Sequence, residues 1–293
     1  MRILRFTRPG HPDTQPEIGI QIQDPSGDLV VPLSAVAPDA PQDMIALIAG
    51  WEAIAPQLAD VAAHRARALP LADLTLAAPV PNPQKILAIG LNYADHIEET
   101  GLPTPTNQLW FSKLPNAVNA PHGDIELPRT GTQMDWEVEM VAVIGKGGRH
   151  ISAAEAPAHV FGYAVGNDVS MRDWQMKTPQ WILGKSFDTH APFGPAIVTA
   201  DEIGDPHGLD ITCSVNGEMR QSSNTRHLLF SVWDQIEELS RVMTLMPGDV
   251  IFTGTPGGVG MGMQPPVYLQ PGDVVRCAIS GLGAIENRVV AEG

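Results

Sequence analysis

From Asp135 to Gly145 the chain reads Asp-Trp-Glu-Val-Glu-Met-Val-Ala-Val-Ile-Gly, with acids at Asp135, Glu137 and Glu139 alternating against Trp136, Val138 and Met140. A period of two is that of a half-buried strand, so the segment belongs in a sheet and carries its carboxylates on one side. Val141 and Val143 continue that side into apolar residues, which puts the acids at the mouth of a cavity rather than in open solvent. Carboxylates withdrawn from water need a compensating cation, and an all-oxygen donor set suits Mg²⁺ or Mn²⁺. Alternation by itself does not decide this, because exposed strand faces of acidic proteins carry charge too.

Charge narrows the partners. Against 18 Lys and Arg stand 33 Asp and Glu, a formal charge of −15, which argues against nucleic acid and anionic membranes. An anionic substrate would have to meet cations placed locally. Only Cys213 and Cys277 occur, each in a strand-like run, so neither a disulfide framework nor a Cys-based zinc site is expected. No leader-like or membrane-spanning apolar run is seen, and the expectation is a cytoplasmic protein in a reducing compartment.

Ile18, Ile20 and Ile22 mark one strand of a small N-terminal hairpin, with a second strand around Leu29 to Leu33. An alanine-rich stretch from about Pro41 to Ala68 reads as helical, with a break at Pro56, and Pro79-Val-Pro-Asn-Pro83 interrupts regular structure. We therefore expect a small N-terminal domain over 1–80 and a main domain over 81–293. The latter shows short strands at Ile86–Ile89, Glu137–Ile144, Gly162–Val165, Ile211–Val215, Val250–Phe252 and Val274–Ile279, and one amphipathic helix with Val232, Ile236, Leu239 and Met243 in helical register. Ser231 caps that helix and Pro247-Gly248 follow its end. Strands and helices do not alternate, so the fold class expected is α+β, mainly β, rather than a doubly wound sheet or barrel. Gly257-Gly-Val-Gly-Met-Gly262 lacks the dinucleotide-binding spacing, and no phosphate loop is present.

Three further segments carry candidate chemistry. In Gly90-Leu-Asn-Tyr-Ala-Asp-His96, a strand turns into a short helix on which His96 and Glu99 are neighbours at i and i+3. There the carboxylate can orient the imidazole as a general base. Gly101–Thr106 behind it is a candidate lid. Asp168 follows the small-residue run Gly162–Gly166, and with Glu137 and Glu139 it would leave about three positions of an octahedral ion open. Lys185 lies between apolar Trp181, Ile182 and Phe187, and with Arg172 it would balance an anionic site. Thr253-Gly-Thr-Pro256 offers a hydroxyl and backbone N–H groups at a strand end, although turn chemistry accounts for those residues as well.

In order, Gly90-Leu-Asn-Tyr-Ala-Asp-His96, Asp135-Trp-Glu-Val-Glu139, Gly166-Asn-Asp-Val-Ser-Met-Arg-Asp173, Gly184-Lys-Ser-Phe-Asp188 and Thr253-Gly-Thr-Pro256 resemble the fumarylacetoacetate hydrolase superfamily over roughly Pro83 to Val290. The resemblance implies a mixed β-sandwich or roll with an N-terminal appendage, as in bacterial homodimeric members. It implies Mg²⁺ or Mn²⁺ on Glu137, Glu139 and Asp168, and catalytic roles for His96, Glu99 and Lys185. Substrate contacts from Arg172, Gln175 and Thr255 are implied as well, whereas Asp135 is not a ligand by this analogy. The activity expected is hydrolysis of a C–C bond in a 2,4-dioxo acid, an acylpyruvate or diketo-deoxy sugar acid. The alternative is decarboxylation or isomerisation of oxaloacetate or a homocatechuate-type 2-oxo dioic acid through an enolate.

Overall fold

The computed structural model describes residues 1–10, 15–25, 27–95, 99 and 103–293. Among these, twelve strands join in one mixed sheet and five in a second. The central ladder of the large sheet runs Arg2–Thr7, Ala191–Thr199, Val160–Asn167, Val138–Ile144, Val250–Phe252, Ile86–Gly90 and Leu109–Lys113. All its contacts are antiparallel except that between Val250–Phe252 and Ile86–Gly90. The smaller sheet, with Asp210–Val215, Val274–Ile279 and Gly283–Ala291 at its centre, supplies Ile211, Cys213, Val275 and Ile285 to a core shared with the large one. This is the expected α+β, mainly β architecture.

The acidic strand is buried on both sides, not one. Every residue of Val138–Ile144 is buried. Val138, Met140, Ala142 and Ile144 pack toward the small sheet and helix Val232–Val242, while Val141 and Val143 meet Leu47, Ile48, Phe193 and Phe252. The strand also begins later than expected. Met134–Asp135 is a separate short strand paired with Ser170–Met171, so the chain bends between Asp135 and Val138. The N-terminal strands extend the large sheet directly, with Arg2 opposite Val198 and Ile3 opposite Ile197.

The alanine-rich stretch does not form the helix its composition suggests. It breaks into Met44–Ala49, which ends at Gly50, then Trp51–Ile54 and 3₁₀ turns at Ala55–Leu58 and Val61–Arg67. No residue of Val61–Arg67 is buried, and with Val61 alone packing against the apolar core, a seven-residue segment lacks the broad buried face that stabilises most protein helices. Helix Val232–Val242 forms as expected. Ser231 and Asp234 close a capping box on it, and Val232, Ile236 and Leu239 are buried.

Candidate active site

The acids converge because two strand ends are tied together. Val138 pairs with Asn167 and Glu139 with Gly166, the Asp168 amide donates to the Glu137 carbonyl (2.9 Å), and the Asn167 side chain accepts from the Glu137 amide (2.9 Å). Each of Glu137, Glu139 and Asp168 thereby offers an oxygen within 4.8 Å of the others, and all are buried. Behind Glu139, Gly254 donates its N–H to Oε2 (2.7 Å). It does so at φ +105°, where a Cβ would lie 2.7 Å from Cβ of Asn92, so this approach needs glycine.

Cations reach the acids from three sides. Lys113, at the end of Leu109–Lys113, places Nζ 2.6 Å from Oδ1 of Asp168 and 3.1 Å from the Val169 carbonyl. Lys185 Nζ bridges Oε2 of Glu137 (2.6 Å) and Oδ2 of Asp168 (2.7 Å). Arg172 donates through Nε to Asp135 (2.8 Å) and through Nη1 to Gln175 (2.9 Å), and its Nη2 lies 2.7 Å from Oε1 of Glu137. Arg172 and Lys185 sit on short helices, Arg172–Gln175 and Ile182–Lys185, that touch backbone to backbone at Gly184. A Cβ there would fall 2.3 Å from the Gln175 nitrogen. That contact sets the spacing between the two cations.

Asp135, Glu137, Glu139 and Asp168 thus face Lys113, Arg172 and Lys185, one negative charge in excess. The excess falls on Glu139. Burial, and then repulsion by Asp168 and Glu137, push its carboxyl well above the ordinary value, and among the described residues none forms a salt bridge to it. Burial opposes the charge on Lys185, yet Asp168 and Glu137 outweigh it and raise its pKa. Burial wins at Lys113, whose pKa is lowered although Asp168 opposes the change. A buried set of three carboxylates that retains surplus negative charge is a donor set suited to a hard divalent cation.

A cavity of about 130 Å³ opens onto Glu137 and Glu139, bounded by Arg172, Gln175, Lys185 and Thr255 and by the apolar Phe111, Met176, Trp181 and Met261. A larger hollow of about 730 Å³, between Trp51, Phe161 and Lys146, holds none of the clustered acids. Titratable groups of perturbed pKa in a cleft mark the smaller cavity as the candidate site.

The sequence matches the Fumarylacetoacetate (FAA) hydrolase C-terminal family over residues 85–290. The chain belongs to the fumarylacetoacetate hydrolase family. It is similar to a Bos taurus protein named oxaloacetate tautomerase FAHD2B, mitochondrial, with 44% identity over 292 residues, 99% of this chain and 92% of the relative. Among solved structures it is similar to a fumarylacetoacetate hydrolase from Exiguobacterium antarcticum, 37% identical with a TM-score of 0.85. It is also similar to maleylpyruvate hydrolase from Sphingobium sp. SYK-6 in complex with manganese(II) and pyruvate, 32% identical with a TM-score of 0.82. Both alignments span the full length of both chains.

Of the residues singled out in the sequence, this family member brings together Glu137, Glu139, Asp168, Lys185, Arg172, Gln175 and Thr255 around the cavity. The Thr255 hydroxyl is already engaged, donating to the Val138 carbonyl (2.9 Å) and accepting from Gln221 (2.8 Å). His96 lies outside the described residues. Glu99 accepts from the Gly258 amide through both oxygens, at 3.0 and 3.1 Å. The glycine-rich loop that Glu99 contacts is held from below by Asp135, which accepts from the amides of Gly260 (2.7 Å) and Met261 (3.0 Å). Asp135 therefore departs from the expected common face and fastens the loop to Arg172.

Sequence reading missed Lys113 and Gln221. Gln221 also accepts from the Val138 amide (3.0 Å), fixing the start of the acidic strand. Lys113 ends the run Leu-Trp-Phe-Ser-Lys, a position that by itself gives no signal of its partner Asp168.

Proposed function

We propose that this chain catalyses the keto–enol shift of a small 2-oxo dicarboxylic acid of the oxaloacetate type, with Mg²⁺ or Mn²⁺ on Glu137, Glu139 and Asp168. The observation that carries this is the convergence of those acids with Lys113, Arg172 and Lys185 beside a small cavity that Arg172 and Lys185 line. The relative named for oxaloacetate tautomerisation favours the isomerase alternative over the C–C hydrolase expected first. Glu137, Glu139 and Asp168 would hold a divalent ion, which when bound would supply the Lewis-acid character that makes the carbon beside a 2-oxo group more acidic.

The chain's own groups do the rest. Arg172, held by Asp135 and Glu137, binds a substrate carboxylate with Gln175 beside it. Lys185 commits two of its three N–H donors to Glu137 and Asp168 and directs the third to the enolate oxygen. His96, oriented by Glu99, moves the proton at C3. Apolar walls from Phe111 and Trp181 limit water around the enolate, which favours reprotonation over cleavage. Thr255 lines the substrate chamber while holding the acidic strand. The protein acts as a homodimer in a reducing compartment of the cytoplasmic type, a reading that rests on free Cys213 and Cys277 and on family likeness.

A second reading is hydrolysis of 2,4-dioxo acids, which the likeness to maleylpyruvate hydrolase favours. Metal-loaded protein assayed on oxaloacetate and acetylpyruvate, with products identified, separates the two. Faster loss of the enol absorbance of oxaloacetate with no second acid formed supports tautomerisation; pyruvate plus acetate from acetylpyruvate supports hydrolysis and refutes the first reading.

A further inference from the structure

The cavity has one rigid wall. Trp181, the residue before helix Ile182–Lys185, packs at a tilt against Phe111, with ring centroids 5.4 Å apart and an interplanar angle of 60°. Phe111 is itself fixed, because Lys185 Nζ lies 4.8 Å from its ring centroid and the residue belongs to strand Leu109–Lys113. On its other side the indole rests directly on Gly90, where a Cβ would fall 2.7 Å from Cζ3. The next residue, Leu91, turns the chain at φ +54° and also lines the cavity. The indole is therefore clamped between a strand end and an aromatic ring. The remaining apolar lining yields more easily. Met176 is 66% exposed, and Met176 and Met261 are unbranched side chains that adapt to what they meet.

The acids and cations fix the oxo-acid end of any substrate at the Glu137 and Lys185 side, so the tail must run along the lining that remains. At about 130 Å³ the cavity is well below the roughly 300 Å³ at which pockets for drug-sized ligands begin. We propose that Trp181, clamped by Gly90 and Phe111, sets the length limit of the substrate, admitting a chain as short as oxaloacetate and excluding longer acyl chains. This rests on the reading of the cavity as a 2-oxo acid site and adds what selects among such acids.

The test uses full-length protein loaded with Mn²⁺, titrated calorimetrically with straight-chain 2-oxo monoacids from pyruvate upward, in wild type, Trp181→Ala and Trp181→Phe. Binding, unlike turnover, reports on the wall whichever reaction the site performs. Wild type is expected to lose affinity once the acid exceeds oxaloacetate in length by two methylenes. In Trp181→Ala the ratio of long-acid to pyruvate affinity rises at least roughly fifteenfold, at about fourfold per methylene newly buried. Trp181→Phe shortens the wall only partly and gives an intermediate ratio, and it carries the test if the alanine variant does not fold. A ratio within about twofold of wild type in the folded variants, or a wild type indifferent to length, overturns the proposal. If wild type discriminates by length and the variants relax it, but oxaloacetate is not turned over, the wall stands and the tautomerase reading falls.

Discussion

Replacing Lys113 by methionine keeps most of the side-chain volume and deletes one charge. In the protein that charge sits 2.6 Å from Oδ1 of Asp168, with both side chains fully buried. Removing one partner of a buried pair costs about 3–5 kcal/mol, and with only Lys185 left on Asp168 the acid cluster gains a second surplus negative charge. For a chain of this length each kcal/mol moves Tm by about 2 °C, so a fall of roughly 6–10 °C is expected in metal-free Lys113→Met. The same change makes the acid cluster more negative, and a divalent ion must then restore more of the fold. Thermal unfolding with chelator and with saturating Mn²⁺ measures both effects. The stabilisation by Mn²⁺ is expected to be larger in Lys113→Met than in wild type, narrowing the gap between them. A metal-free variant within about 2 °C of wild type, or one that gains less from Mn²⁺, would refute the electrostatic reasoning.

Glu139→Gln removes the surplus charge while keeping an acceptor for Gly254, so the metal-free variant should melt higher than wild type and lose its response to Mn²⁺. Because the folded Glu139 pKa lies above the unfolded one, the native state holds the extra proton, and wild-type metal-free stability falls as pH rises from the ordinary carboxylate range toward the raised value. Denaturant midpoints against pH should show that decline in wild type and not in Glu139→Gln. At His190, burial pushes the pKa down to about 3. Between about 6.5 and that value only the unfolded chain is protonated, and this residue alone takes roughly 1.4 kcal/mol of stability per pH unit as pH falls. His190→Gln should flatten that acid limb in a denaturation series. Gly184→Ala drives a methyl into the backbone of Gln175, at a cost of about 3 kcal/mol, and displaces Lys185 relative to Arg172. A loss of about 10²-fold in kcat, read in a steady-state assay, is the expected scale for a 1 Å misplacement.

Much of the site was legible because its residues sit at the ends of strongly patterned strands. Val250–Phe252 and Val274–Ile279 form where their apolar runs predict, each preceded by Gly-Asp, and the acids fall at the strand ends that alternation and the Gly162–Gly166 run suggested. What escaped depends on contacts distant in sequence. Lys113 meets Asp168 across 55 residues, and nothing local distinguishes it from a solvated lysine at a strand end. Ala191–Thr199 carries Pro192, Gly194 and Pro195, which argue against a strand, yet it pairs on both edges with a register shift opposite Tyr163 to Val165. The acidic strand reads as half-buried from its alternation, whereas both its faces are buried, with Val141 and Val143 falling in one apolar cluster with Leu47 and Ile48 of helix Met44–Ala49.

The most direct test of the account is proton exchange at C3 of oxaloacetate in D₂O, followed by proton NMR with metal-stripped and Mg²⁺-restored protein alongside Glu137→Gln. Deuterium is expected to enter C3 above the uncatalysed rate only in Mg²⁺-restored wild type, with pyruvate formation no faster than without protein. Exchange that is indifferent to Mg²⁺ and to Glu137, or loss of oxaloacetate matched by pyruvate and CO₂, would contradict it.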